Sequence, residues 1–185
     1  MIIGITGTIG AGKGTIVEYL ESKGFKHYSV RTFLQKEIER RGLPFNRDSM
    51  TEVANDIRAN HGSGYIIEQL LAEAKNNPSE NAVIESIRTT SEAEHLKKQG
   101  AHLWAVDSDI NGRYERIVKR GTVTDDITFE KFIFDEQREF ANTDPTKQNI
   151  SGVMAMSDEV IRNEGTREEL FAKVDTLLQR EGGNA

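Results

Sequence analysis

The chain has no cysteine among its 185 residues, which excludes a disulfide framework and any thiolate metal site. It has no apolar stretch of membrane-spanning length. It also lacks a basic excess: the net charge is −6, so a local nucleotide site is compatible with it but general nucleic-acid binding is not favoured. His27, His61, His95 and His102 show no metal-ligand spacing. There is no internal repeat and no low-complexity segment, and only Gly182-Gly183-Asn184-Ala185 reads as a loose tail. The N-terminus has no basic lead-in, and its few apolar residues predict a core strand and not a signal peptide. The expectation is a cytoplasmic protein, a monomer or homodimer, that engages neither membrane nor nucleic acid.

What is present is concentrated at the start. The apolar run Met1 to Ile5 leads into Gly7-Thr8-Ile9-Gly10-Ala11-Gly12-Lys13-Gly14-Thr15. This predicts a buried strand, a glycine-rich turn and a helix start, the context in which backbone N–H groups and a helix N-terminus cradle phosphate. Gly7, Gly12 and Lys13 fit the pattern G-x-x-x-x-G-K-[ST], with Gly14 in place of the hydroxyl residue and Thr15 after it. Lys13 supplies a full charge for the outer phosphates.

Strand and helix patterns alternate along the rest of the chain. Helices are expected over 15–23, 31–41, 50–60, 65–75, 90–99, 112–121, 128–140 and 168–180, with a short piece at 153–156. The third is capped by Asp48 or Ser49, the fifth by Thr90 or Ser91 and the last by Thr166. Strands are expected at 25–30, 82–85, 102–107 and 158–162, and Trp104 is assigned to the core of its strand. Turns or polar loops fall at 77–79, 122–126 and 142–148. The pattern predicts an α/β three-layer P-loop fold, with a five-stranded parallel sheet and helices on both faces, in a single domain spanning 1–185. Residues 31–75 form a helical insertion where an acceptor would bind, and about 121–148 read as a lid-like segment.

Glu85, at the carboxyl end of the third strand, can hold the water shell of Mg²⁺, and Arg88 can clamp a phosphate with its planar fork. Arg31 and Arg58 are the best phosphate ligands in the insertion, each equally readable as a solvated surface arginine. Arg113, Arg116 and Arg120 fall on one helical face, which suits a triphosphate, or else a solvated face paired with Asp107, Asp109 and Glu115. Arg138 reaches phosphate if its segment closes as a lid, and that helix is expected to bury Phe129, Phe132, Ile133 and Phe140. The sequence Thr146-Lys147-Gln148-Asn149 ends in Asn, so the N/T-K-x-D base-recognition motif of G proteins is missing.

The segments GITGTIGAGKGT, ESIR, RYERIVKRG and SDEVIRNEGT occur in that order. Together they resemble the P-loop nucleoside monophosphate kinase group, nearest to adenylate-kinase-related and dephospho-CoA kinase-like proteins, over essentially the whole chain. The resemblance implies that Gly7, Gly10, Ala11, Gly12, Lys13, Gly14 and Thr15, with Arg116, hold ATP, and that Glu85 and Thr15 serve Mg²⁺. It implies that Arg88 holds the acceptor phosphate with Arg31 and Arg58, and that Lys13, Arg88, Arg120 and Arg138 are catalytic, the last two from the lid side. Acceptor features of the group are absent: Ser29-Val30-Arg31-Thr32 replaces an acid pair, Glu85-Ser86 replaces Asp-Gly, and Gln35 stands where an Arg is usual. The implied activity is ATP- and Mg²⁺-dependent phosphoryl transfer to a nucleoside monophosphate or similar phosphorylated small molecule. The alternatives are a dephospho-CoA kinase and a slow nucleotide-dependent switch or partner-binding module.

Overall fold

The run of apolar residues at the N-terminus forms β1 (Ile2–Gly7), the central strand of a five-stranded sheet. Its neighbours are β3 (Ala82–Glu85) and β4 (His102–Asp107), flanked in turn by β2 (Lys26–Ser29) and β5 (Glu159–Arg162), in the order β2-β3-β1-β4-β5. Every pairing is parallel, so a helix must cross over between strands and both faces are covered. This computed structural model describes residues 1–77, 81–122, 126–144 and 147–182. Parts of the turns expected at 77–79, 122–126 and 142–148, and most of the tail, lie outside the described residues.

Alternation along the strands separates two core layers. Ile3 and Ile5 of β1, Val83 of β3, and Trp104 and Val106 of β4 pack with α1 (Lys13–Ser22) and α9 (Arg167–Gly182). Trp104 is fully buried, as expected, and its indole N–H donates to Glu181. On the opposite face Ala82, Ile84 and Leu103 meet α2 (Val30–Arg40), α3 (Arg47–His61), α4 (Tyr65–Lys75), α5 (Thr90–Lys98) and α8 (Ile150–Ala155). A third, small cluster joins Ile9 to Ile117 of α6 (Ile110–Arg120) and Phe132 of α7 (Phe129–Phe140).

Several boundaries move for identifiable reasons. The Ser29 side chain accepts from the Thr32 N–H at 3.2 Å, so β2 stops there and Val30 opens α2. Asn46, not Asp48 or Ser49, caps α3, which therefore starts at Arg47. Thr89, not Thr90 or Ser91, caps α5, and Glu92 returns a bond to its backbone, closing a capping box. Thr166 caps α9 as expected, exchanging bonds with Glu169. Among the described residues no helix is long and apolar enough to cross a membrane.

Candidate active site

β1 ends in a turn that only glycine can build. Gly7 has φ +131°, and a Cβ there would lie 2.0 Å from the Val106 carbonyl oxygen. Gly12, with φ +101°, would drive one to 2.4 Å from the Asn163 amide nitrogen. Gly14 differs: its φ is ordinary and a Cβ would meet nothing within 4 Å. The turn brings Gly10, Gly12, Lys13, Gly14 and Thr15 to the wall of a cavity of about 670 Å³ at the carboxyl ends of the strands. Gly7 and Ala11 stand behind it: the Ala11 N–H donates to Thr8, and its carbonyl accepts from Asn163 at 2.8 Å. In this structure both residues shape the turn.

The Lys13 ammonium donates to the Gly7 and Thr8 carbonyls at 2.9 and 2.7 Å. Burial, then the nearby Arg88 charge, pushes its pKa down to about 7. Glu85 enters the same cavity from β3, accepting from the Ser29 hydroxyl at 3.0 Å with His27 3.6 Å away. Burial raises its pKa, but the contacts to His27 and Ser29 and the Lys13 charge outweigh that and hold the carboxyl below its ordinary value. It is therefore ionised at neutral pH. Ser86 follows at φ 66°, the one positive-φ residue besides glycine among the described residues, and it also lines the cavity. Such a conformation is kept where surrounding structure imposes it, commonly at functional sites.

Of the expected arginines, Arg31, Arg58, Arg88, Arg116 and Arg120 line the cavity. Arg31 stands over the Phe45 ring, 5.1 Å from its centre. Arg58 is not a surface residue: it is 1% exposed, and its Nε and Nη2 donate to Glu92 at 3.0 and 2.8 Å, while Nη1 has no hydrogen-bond partner. Arg88 donates through Nη1 to Glu139 and, at 2.8 Å, to Gln148. Arg116 bonds the Ser108 hydroxyl and the Asn163 carbonyl, both at 2.9 Å, and so ties α6 to the loop after β5.

Two arginines stand elsewhere. Arg113 does not line the cavity with Arg116 and Arg120. It is buried, donates to the Ser108 and Ile9 carbonyls and pairs with Glu136. Arg138 is not part of the cavity wall: it pairs with Asp48 at 3.0 Å and Asp135 at 3.4 Å, joining α7 to α3.

Sequence reasoning missed Arg47, Lys119, Glu139 and Gln148, all on the cavity wall. Asn46 was the signal for Arg47, because a cap there starts the helix with that arginine. Glu139 was obscured by the apolar reading of α7. Its inner face in fact carries buried Asp135 and Glu139 beside Phe132, while Phe140 is 40% exposed. Eight Lys and Arg against three Glu line the cavity, a cationic site in a chain of net charge −6. Among the described residues no group of three or more His, Asp or Glu is placed to hold a metal ion by itself. The residues fit an ion bound chiefly by phosphates and water, with the ionised Glu85 and the Thr15 hydroxyl on the same wall.

The profile of the AAA domain family matches residues 3–142. A UPF0200 protein of Sulfurisphaera tokodaii is 31% identical over 180 residues, covering 97% of this chain and 96% of the relative. In fold the chain is similar to TT1252 from Thermus thermophilus, at a TM-score of 0.61 and 18% identity over 97% of both chains. It is similar also to dephospho-CoA kinase from Campylobacter jejuni, at 0.57 and 16% over 100% of this chain and 98% of that one. The fold is thus that of P-loop kinases, as the sequence resemblance implies.

Proposed function

From a chain that belongs to the AAA domain family and to the UPF0200 family, we propose a small-molecule kinase that transfers phosphate from ATP, with Mg²⁺, to a nucleoside monophosphate or similar phosphorylated acceptor. The observation that carries this reading is the cationic cavity in which the P-loop, an ionised carboxylate at the end of β3 and arginines from two sides converge. Lys13 and the turn amides hold the donor phosphates. Glu85 and Thr15 would hold Mg²⁺, which when bound would neutralise charge on the donor phosphates. Arg116, Lys119 and Arg120 face the donor from α6, and Arg31, Arg47, Arg58 and Arg88 form the acceptor side. The apolar side chains of Val30, Leu34, Met50 and Ala54 on that side suit the body of an organic acceptor.

Phosphoryl transfer asks the protein for alignment and charge more than for covalent chemistry. Lys13 and the arginines stabilise the charge that spreads over the transferred group, and two cationic walls fix donor and acceptor in line. A phosphate acceptor is already a nucleophile, so no base is required. The second reading is a hydroxyl acceptor, as on the ribose of dephospho-CoA. It is favoured by Glu139, a carboxylate inside the cavity able to take the proton.

The test is purified protein with ATP, Mg²⁺, a panel of nucleoside monophosphates and dephospho-CoA, with products identified by mass spectrometry. A phosphorylated monophosphate supports the proposal, and 3′-phosphorylated dephospho-CoA selects the second reading. Tight ATP binding with slow hydrolysis indifferent to every acceptor would sink both and mark a switch.

A further inference from the structure

The acceptor-side arginines already hold an anion, and it belongs to the protein. The Glu139 carboxylate pairs with Arg88 and lies 3.7 Å from Arg47, and its residue is 3% exposed. Gln148 completes the set with its carbonyl oxygen 2.8 Å from Arg88 Nη1. One residue turn earlier on the same helix, fully buried Asp135 lies 3.7 Å from Arg47 Nε. Glu136, between them, pairs with Arg113. The inward side of α7 is thus a row of carboxylates seated on arginines, two of which, Arg47 and Arg88, line the cavity.

We propose that Glu139 is a built-in stand-in for the acceptor's phosphate, so that acceptor phosphate and the docked position of α7 compete for Arg88 and Arg47. This deepens the acceptor-side reading above and rests on it. The chemistry is direct. A carboxylate and a phosphate oxygen pair accept from the same guanidinium fork. A phosphate brings more charge, and it can draw Arg88 away. A buried carboxylate stripped of its arginine is strongly disfavoured, so Glu139 must then move to water. Because Glu139 is helical, leaving means that α7 shifts with it. The pair therefore makes the site competitive: any phosphate that takes Arg88 and Arg47 displaces Glu139 and with it α7, and an acceptor that also fills the apolar wall does so at lower concentration.

The test needs no turnover. With the donor half saturated by a non-hydrolysable ATP analogue and Mg²⁺, the protein is titrated with inorganic phosphate by calorimetry. Amide hydrogen exchange of residues 129–140 is followed in parallel. Phosphate should lower the protection of α7 in the unaltered protein. Glu139→Gln, which keeps shape and loses charge, should bind phosphate roughly fivefold tighter or more, and Arg88→Ala should lose the binding. Unchanged phosphate affinity in Glu139→Gln overturns the proposal. So does α7 protection that stays constant or rises while phosphate binds, a readout available in the unaltered protein even if the variant does not fold. So does a failure of phosphate to bind at all. If the base role of the second reading holds instead, Glu139→Gln gains no phosphate affinity and loses turnover. If the analogue itself does not bind, the donor assignment fails, and the same titration in a Lys13→Met background still decides the competition.

Discussion

Lys13 shows how strongly its surroundings act on a single residue. Its ammonium lies among arginines and under cover, and both effects drive the pKa from 10.5 to about 7. The folded value lies below the unfolded one, so the cost to stability is complete below about pH 7 and is relieved as pH rises toward 10.5. A bound phosphate reverses the local sign and restores the proton. At pH 8, therefore, ATP binding should take up nearly one proton. Calorimetry in two buffers of different ionisation enthalpy should give different apparent heats, and identical heats would refute the assignment. Lys13→Ala should abolish both the uptake and the phosphate binding. The glycines of the turn separate in the same way. Gly7→Ala meets the Val106 backbone at a positive φ and should unfold the domain or cost more than about 3 kcal/mol. Gly14→Ala meets nothing within 4 Å at an ordinary φ, and its melting temperature should match or exceed that of the parent. Gly14 is thus a departure from the pattern that the fold itself does not require.

At the scale of elements, what could be read from the sequence was whatever is decided locally. The strand–turn–helix of β1 and α1 follows from an apolar run and its glycines. Helix α4 and strand β3 have the expected bounds because each is a clean periodic segment between breakers. For helix α7 the bounds and the packing of Phe129, Phe132 and Ile133 were legible, but its buried acids and the exposure of Phe140 were not, because they are decided from far away. Arg47, Arg88 and Arg113 come from three other segments and pull Asp135, Glu136 and Glu139 inward, which leaves Phe134 and Phe140 exposed. No window of the helix alone contains that information. Arg58 is the same case: its partner Glu92 lies 34 positions on. Glu92 is fully buried, takes the Arg58 fork, and accepts from the Arg88 and Thr89 N–H groups at 2.8 and 3.1 Å. One carboxylate thus joins α3, the start of α5 and the residue carrying the cavity arginine. Glu92→Ala should cost about 3–5 kcal/mol, because it strands a buried guanidinium and removes a cap together. Glu92→Gln should cost less, since its carbonyl can still accept. Chemical denaturation of the two variants compares them, and a loss below about 1 kcal/mol for Glu92→Ala would contradict the network.

Over the whole molecule the distribution of charge is more informative than its total. A net charge of −6 argues against an anionic ligand if averaged over the surface, yet the cavity wall carries eight cations and three acids. The opposition makes sense if the surface repels general polyanions while a concave, partly screened site focuses field on a small one. The fold creates this arrangement through its topology. Parallel strands place the P-loop, Glu85 and the segment leading to Arg88 at one edge of the sheet, and the helices after β2 and β4 bring arginines from either side. The consequence is a salt dependence specific to charged ligands. Raising ionic strength from roughly 0.05 to 0.5 M shortens the Debye length from more than about 10 Å to a few ångströms. ATP affinity should fall on the order of tenfold across that range, mainly through slower association. Adenosine, which shares the base and sugar but lacks phosphate, should bind weakly and with little change. Stopped-flow association of a fluorescent ATP analogue, repeated in Arg120→Ala and Lys119→Ala, would locate the effect on α6. An association rate indifferent to salt would mean that these side chains do not attract the nucleotide, and the donor would then owe its affinity to the turn and Lys13 alone.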